Sequence, residues 1–571
     1  MNCKVIFAAV CFIVVSSAAG FAQKKKSVIN AYKYSIEKTT TVSNGAVISA
    51  HPLASQAGLL MLKKGGNAVD AAIATQLALA VVYPGAGNIG GGGFMIAHLK
   101  DGRNIALDYR EKAPAAAHRD MYLDAAGNAQ LNLSQHGHLA AGIPGTIAGL
   151  FASMKYARLS FKTLIEPAII LAEKGFAVTK AEASGLNAYK DAFTKYNTKA
   201  TAFIKQQPWK EGDTLIQPEL AATLKRVSAL GKAGFYEGET ARLIVEEMQR
   251  GKGLITYNDL KAYEAKERTV LSFPYKDFMV ITMPLPSSGG IIINQTMKMV
   301  EQKNISGLGF HSVEAVQLMV EAERRAYADR AEFMGDQDFV KVPVKRLTSD
   351  AYAKERMADY NPAIAGSSQV TKPGAINPES EETTHLSVVD KYGNAVSVTT
   401  TLNGGYGSKT VVGGAGFLLN NEMDDFSVKP GVPNMYGALG AEANAIAPGK
   451  RMLSSMTPTI VLKNNRPYIV AGTPGGTTIP TSVYQTLINM LEFDMSADDA
   501  VNKPKFHHQW LPDEVYVEKD FPAAVIAALK AKGYKISIRG QIGRTEVIKV
   551  LLNKKFECAA DKRGDDAVAG Y

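Results

Sequence analysis

Hydroxyls crowd one stretch of the chain, Thr383-Thr384-His385-Leu386-Ser387-Val388-Val389-Asp390, then Lys391-Tyr392-Gly393, then Asn394-Ala395-Val396-Ser397-Val398-Thr399-Thr400-Thr401-Leu402-Asn403. Two period-2 runs around a short Gly-containing turn predict a β-hairpin. A three-residue loop with Gly393 at its left-handed position sets Asp390 opposite Asn394. That register pairs Val388 with Val396, Leu386 with Val398 and Thr384 with Thr400, so one face is mostly apolar. Ser387 then meets Ser397, His385 meets Thr399 and Thr383 meets Thr401. A slip of one residue would set apolar against polar along the whole ladder. Opposed residues have Cβ atoms about 4.5–5.5 Å apart, which brings the Thr401 hydroxyl within reach of Thr383. Threonine favours strands anyway, so the hairpin alone reads as ordinary sheet. Residues 361–382 change that reading: rich in Pro, Gly, Ser and charge, they form an accessible loop that runs straight into a buried-type strand.

Other polar groups stand out less on their own. Arg110, at the end of a predicted strand, has the ordinary reading of a solvated or salt-bridged cation. The acids Glu422, Asp424 and Asp425 do not have the spacing of an EF-hand loop. Ser454 and Ser455 are paired serines in a loop, and Gly475-Gly476 follows Pro474. His507 and His508 invite a metal reading, but adjacent residues point apart on either regular element and no ligand spacing supports them, so they are read as structural. No metal or cofactor is implied.

The elements that must position these groups follow from pattern and punctuation. Residues 53–64 read as an amphipathic helix stopped by Gly65-Gly66, and Asn67 caps an Ala-rich helix that ends near Val82, before Pro84. A helix that apolar all round should be buried. The run Gly85-Ala86-Gly87-Asn88-Ile89-Gly90-Gly91-Gly92-Gly93 lacks the Gly-Lys-Ser/Thr of a phosphate loop, so it is read as backbone passing close to backbone. A turn at residues 100–103 leads into a strand over 104–108, and residues 160–252 are mostly helical. A long helix over 311–334 carries charges at helical spacing, read as an exposed salt-bridged face.

Composition bounds the class: 571 residues, 46% hydrophobic and 21% charged, is that of a globular protein with a sizeable core. Lys4, an apolar run over residues 5–15 and Ser16-Ser17-Ala18-Ala19-Gly20-Phe21-Ala22 predict a secretory signal cut after Ala22, too short to span a membrane comfortably. Its loss removes Cys3 and Cys11, which leaves Cys558 and no internal disulfide. The formal charge of +10 is scattered apart from Lys24-Lys25-Lys26, so it is read as solubility, not nucleic-acid binding.

From about His51 to Ala569-Gly570-Tyr571 the chain resembles the γ-glutamyltranspeptidases, a family of N-terminal nucleophile hydrolases. The likeness lies in Thr383-Thr384-His385, the glycine run, Arg110-Glu111-Lys112-Ala113-Pro114, Gly142-Ile143-Pro144-Gly145-Thr146, residues 283–290 and Ser454-Ser455. It departs from the commoner family form at Tyr83 and at Gly85-Ala86-Gly87-Asn88. The resemblance implies an α+β fold, a four-layer αββα sandwich made jointly by two fragments. It places a self-cut between Glu382 and Thr383, giving residues 1–22 as signal, 23–382 as large subunit and 383–571 as small subunit, held together non-covalently. It also implies that Arg110, Ser454 and Ser455 hold a substrate α-carboxylate, and that Asn403, Glu422 and Asp425 hold its α-ammonium. Gly475 and Gly476 would supply an oxyanion hole, and Tyr436 the gate of a lid over the pocket.

Within a chain a Thr hydroxyl lacks a neighbouring base, whereas a terminal amine titrates near about 7.7–8.0 and can take its proton. A cut before Thr383 would therefore create nucleophile and base together, with Thr401 orienting the oxygen. The substrates implied are glutathione and other γ-glutamyl compounds, with water, amino acids or dipeptides as acceptors, in a periplasmic or secreted protein without a stable membrane span. Three alternatives remain: a cephalosporin or glutaryl acylase of the same superfamily, a capsule-processing γ-polyglutamate enzyme, and a non-catalytic exported binding protein.

Overall fold

The central hairpin forms in the register its alternation demands. In a computed structural model, which describes residues 29–371, 383–435, 437 and 440–571, Thr384–Asp390 and Ala395–Thr401 are antiparallel. Thr384 lies opposite Thr400, Leu386 opposite Val398 and Val388 opposite Val396. Gly393 has φ 94° and the Asp390 N–H donates to the Asn394 carbonyl at 3.1 Å, closing the predicted loop. The signal segment, Glu382 and Tyr436 lie outside the described residues.

Around the hairpin runs an antiparallel sheet in the order Ala567–Gly570, Gly45–Ser49, Thr384–Asp390, Ala395–Thr401, Gly92–His98, Asn104–Asp108, Lys266–Arg268. A second antiparallel sheet has the order Thr39–Val42, Phe556–Ala560, Glu546–Val550, Arg466–Gly472, Thr459–Lys463, Phe278–Thr282, Leu271–Tyr275.

The two faces of the hairpin explain the layering. Leu386, Val388, Val396 and Val398 share a core with the helices Pro52–Lys63, Ala68–Val82 and Phe161–Lys174. The polar face turns to the second sheet: the Ser387 hydroxyl donates to the Glu546 carbonyl at 3.4 Å, and that of Ser397 to the Ala471 carbonyl at 3.1 Å. Short hydroxyl side chains thus line the seam and satisfy themselves on opposite backbone. Gly289–Glu301, Val313–Phe333 and Thr478–Leu491 contribute to the core that the second sheet shares with the seam, so the layers run helix, sheet, sheet, helix.

Local expectations hold where capping and close approach decide them. Asn67 accepts from the Val69 and Asp70 N–H groups while the Asp70 carboxylate accepts the Asn67 N–H at 2.7 Å, and every residue of Ala68–Val82 is buried. In the glycine run, a Cβ on Gly90 would lie 2.1 Å from the Leu418 carbonyl oxygen, and one on Gly91 2.1 Å from that of Thr401. Backbone passes backbone there, and no other residue fits.

One expectation fails. The charged face of Val313–Phe333 is buried, with Glu321, Glu323, Arg324, Arg325, Asp329 and Arg330 each at most 7% exposed. Partners come from all sides: Arg325 pairs with Glu321 at 2.6 Å, Arg356 with Asp329 at 3.3 Å, and Glu323 accepts the His508 N–H at 2.9 Å. Charges at i and i+4 look the same in an exposed ladder and in a buried network, so the spacing alone did not reveal which this is.

Candidate active site

Thr383 immediately precedes a central strand, is 5% exposed, and faces a cavity lined also by Thr401, Asn403, Arg110, Glu422, Asp425, Ser454, Ser455 and Gly476. Nearly all the residues singled out from the sequence, scattered over more than 360 positions, are therefore brought together. Gly475 instead lines an adjoining cavity that also includes Thr383. Arg330, Asn434, Met456, Thr477 and Ile479 line the first cavity without having been anticipated.

Each group is held by a local device. Asn403 takes φ 75°, a left-handed value that asparagine tolerates, and its N–H donates to the Thr401 hydroxyl oxygen at 2.7 Å. The Thr401 proton must therefore point at a different acceptor. Asn88, in the stretch where the chain departs from the commoner family form, donates to the Thr401 carbonyl at 2.8 Å and accepts from the Gly91 N–H and the Thr146 hydroxyl. Asn420 accepts the Glu422 N–H at 3.1 Å and donates to the carbonyls of Gly90 and Gly142, anchoring the acidic turn Glu422–Asp425 to the glycine run. Ser454 accepts the Met456 N–H at 3.2 Å, while the Arg330 guanidinium donates to the hydroxyls of Ser288 and Ser455 at 3.1 and 3.3 Å. Gly475 and Gly476 head the helix Thr478–Leu491 with φ 136° and 54°, and a Cβ on Gly475 would sit 2.5 Å from the Thr478 hydroxyl oxygen.

The electrostatics centre on Arg110, which is 1% exposed. Its guanidinium pairs with Glu422 at 2.5 Å, with Asp425, and with Glu111 at 3.3 Å. Burial pushes the arginine down, but the fields of Glu422, Asp425 and Glu111 outweigh it and hold Arg110 above its ordinary value. Burial also dominates the acids: Glu111 is pushed up to about 7, and Glu422 and Asp425 are raised above the usual carboxylate range despite Arg110. Cation and acids thus sit side by side in one pocket, not on opposite walls. The described part of the loop above them is tied to the same turn, with the Asn434 amide donating to Asp425 at 3.1 Å and the Met435 N–H to Asp424 at 2.6 Å.

His385, two residues from Thr383, is not a base for it. Its ring is wholly buried in the seam, bonded to the Thr399 and Ser387 hydroxyls at 2.9 and 3.1 Å, and burial pushes it down to about 3. His507 and His508 are likewise buried in hydrogen-bond networks, His507 with Thr481 at 2.8 Å and with Gln509 at 2.8 Å.

Two facing antiparallel sheets between helical layers, with a threonine that leads into a central strand and lines the cavity, define an N-terminal nucleophile hydrolase fold. A family profile for gamma-glutamyltranspeptidase matches residues 54–571. The glutathione hydrolase proenzyme of Escherichia coli (strain K12) is 47% identical over 532 residues, covering 92% of each chain. Among solved structures, the cephalosporin acylase from Bacillus halodurans superposes with a TM-score of 0.81 at 27% identity, over 95% of this chain and 99% of its own. Helicobacter pylori gamma-glutamyltranspeptidase matches at 43% identity and a TM-score of 0.56, over 60% of this chain and 97% of its own. The chain belongs to the gamma-glutamyltranspeptidase family.

Proposed function

We propose that the protein is an exported γ-glutamyltranspeptidase and glutathione hydrolase that cuts itself between Glu382 and Thr383. The mature Thr383 then passes γ-glutamyl groups to water, amino acids or dipeptides. The observation that carries this reading is the meeting, in one buried cavity, of Thr383 with a guanidinium flanked by carboxyls. A γ-glutamyl head bears a carboxylate and an ammonium on one carbon. Its carboxylate takes Arg110, with Ser454 and Ser455 beside it, while its ammonium takes Glu422, Asp425 and Asn403, so every buried charge keeps a partner.

The chemistry follows from that placement. In the precursor the Thr383 hydroxyl attacks the Glu382 carbonyl, the peptide C–N bond breaks and frees the Thr383 amine, and water then opens the resulting ester to give back the Thr383 hydroxyl and leave Glu382 as a carboxylate. That amine then takes the hydroxyl proton as Thr383 attacks the γ-glutamyl amide. Thr401 donates toward the Thr383 oxygen, and the N–H groups of Gly475 and Gly476 meet the tetrahedral oxyanion at the positive end of a helix. The leaving amine departs with the proton, and water or an acceptor amine releases the γ-glutamyl ester. The word proenzyme in the name of the E. coli relative supports the cut, as does the H. pylori chain, which spends 97% of its length on only 60% of this one. Export to the periplasm or outside rests on residues 1–22, and among the described residues no helix is long and apolar enough to cross a membrane.

Thr383→Ala tests the reading. The wild-type protein should run as two fragments, the smaller beginning at Thr383 by terminal sequencing, and should release nitroaniline from γ-glutamyl-p-nitroanilide; the variant should stay full length and inactive. A variant that still splits there and still turns over would refute it. The similarity to an acylase fold makes a glutaryl anilide the necessary control. Glutaryl lacks the ammonium and would offer Glu422 and Asp425 nothing while its carboxylate competes with them for Arg110, so γ-glutamyl should be preferred.

A further inference from the structure

A second cavity touches Thr383 and shares no other lining residue with the first: it is walled by Tyr83, Pro474, Gly475, Gln541, Gly543 and Arg544. Acyl transfer at one hydroxyl needs two sub-sites that meet there, one for the acyl group and one for the amine that leaves or arrives. The first cavity holds the groups that match a γ-glutamyl head. Among the described residues the wall of the second has a single charged side chain, Arg544, and no carboxylate. Arg544 is built in, not dangling: its guanidinium donates to the Tyr83 hydroxyl at 2.8 Å, lies 5.4 Å from the centre of that ring and stands 3.6 Å from Asp566. Its own N–H donates to the Thr473 hydroxyl at 2.7 Å, which fixes the residue beside the Pro474-Gly475 segment. The side chain is 13% exposed, so a ligand anion there would be largely desolvated and strongly held.

We propose that this cavity is the amine-side sub-site and that Arg544 takes the terminal carboxylate of a peptide leaving group or acceptor, giving selectivity for amino acids and dipeptides with a free carboxyl end. The proposal rests on the γ-glutamyl reading of Thr383. In the transfer step the acceptor amine attacks the γ-glutamyl ester, a C–N bond forms, the C–O bond to Thr383 breaks, and the amine proton returns to the Thr383 oxygen. Tyr83 and Gln541 frame the cavity around the carboxylate, and Gly475 and Gly543 leave room for it.

The experiment compares glycylglycine with glycylglycinamide as acceptors, with γ-glutamyl-p-nitroanilide as donor and rates referred to free amine. The wild-type enzyme should prefer glycylglycine by about tenfold or more in acceptor kcat/KM, the worth of one charge-assisted hydrogen bond. Arg544→Gln should bring the preference close to one, and Arg544→Lys should restore part of it, which a merely structural arginine would not do. Equal use of both acceptors by the wild type, a comparison that needs no variant, overturns the proposal and leaves the γ-glutamyl reading standing. So does an undiminished preference in Arg544→Gln. Absence of nitroaniline release from the wild type overturns both.

Discussion

Replacing Arg110 by glutamine removes the one cation that Glu111, Glu422 and Asp425 share in the described structure of the pocket. Two consequences have separable readouts. A guanidinium that meets a substrate carboxylate through two charge-assisted hydrogen bonds, each worth about 1.5–3 kcal/mol, contributes about 3–6 kcal/mol. At about 1.4 kcal/mol per tenfold, kcat/KM for γ-glutamyl-p-nitroanilide should fall by about 10²–10⁴-fold. Arg110→Lys should recover little, because a point charge cannot span the fork. Stability should fall as well: breaking a buried ion pair costs about 3–5 kcal/mol while the orphaned acids stay ionised. Burial already raises all three acids, Glu111 to about 7, and without the arginine they rise further. Groups whose folded pKa is raised contribute fully below the unfolded value and lose that contribution as pH climbs through the folded one. The Tm gap between wild type and Arg110→Gln should therefore be small near pH 5 and widen through pH 7 to 8. Donor kinetics within about threefold of wild type would refute the assignment of the carboxylate, and a gap that narrows with pH would refute the electrostatic account.

Two further outcomes are expected. Asn88→Ala leaves the Thr401 carbonyl, the Gly91 N–H and the Thr146 hydroxyl buried without their bonds, so it should lower stability by more than about 2 kcal/mol in a melt; it should also cut kcat more than it raises KM, since Thr401 loses its support. Burial pushes Glu182 up to about 8 and His51 down to about 3, so their 3.3 Å contact joins neutral groups at pH 7. Glu182→Gln should gain on the wild type in Tm as pH rises from 5 to 9, because only the wild type must bury a charge; a pH-independent difference would contradict this.

The hairpin register was legible because a period of two leaves a single pairing in which apolar meets apolar, and the glycine run because four bare residues in a row have few other uses. The site residues were legible through family motifs, not through their spacing, which is set by a fold that joins Arg110 to Asp425 across 315 positions. The order of the sheets was not legible: the last strand, Ala567–Gly570, lies beside Gly45–Ser49, and no local pattern encodes so distant a pairing. Arg330 escaped notice because its neighbours resemble a solvated ladder. Asn88 did so because an asparagine among glycines reads as a turn.

The strand order carries a consequence for the making of the molecule. Both sheets take strands from either side of position 383, and Gly45–Ser49 lies between Thr384–Asp390 and Ala567–Gly570. Neither part encloses an interior by itself, so the cut proposed before Thr383 must follow folding and not precede it. The two parts interlock like clasped fingers, and Gly45–Ser49 has no strand at either edge until the chain beyond position 383 is beside it.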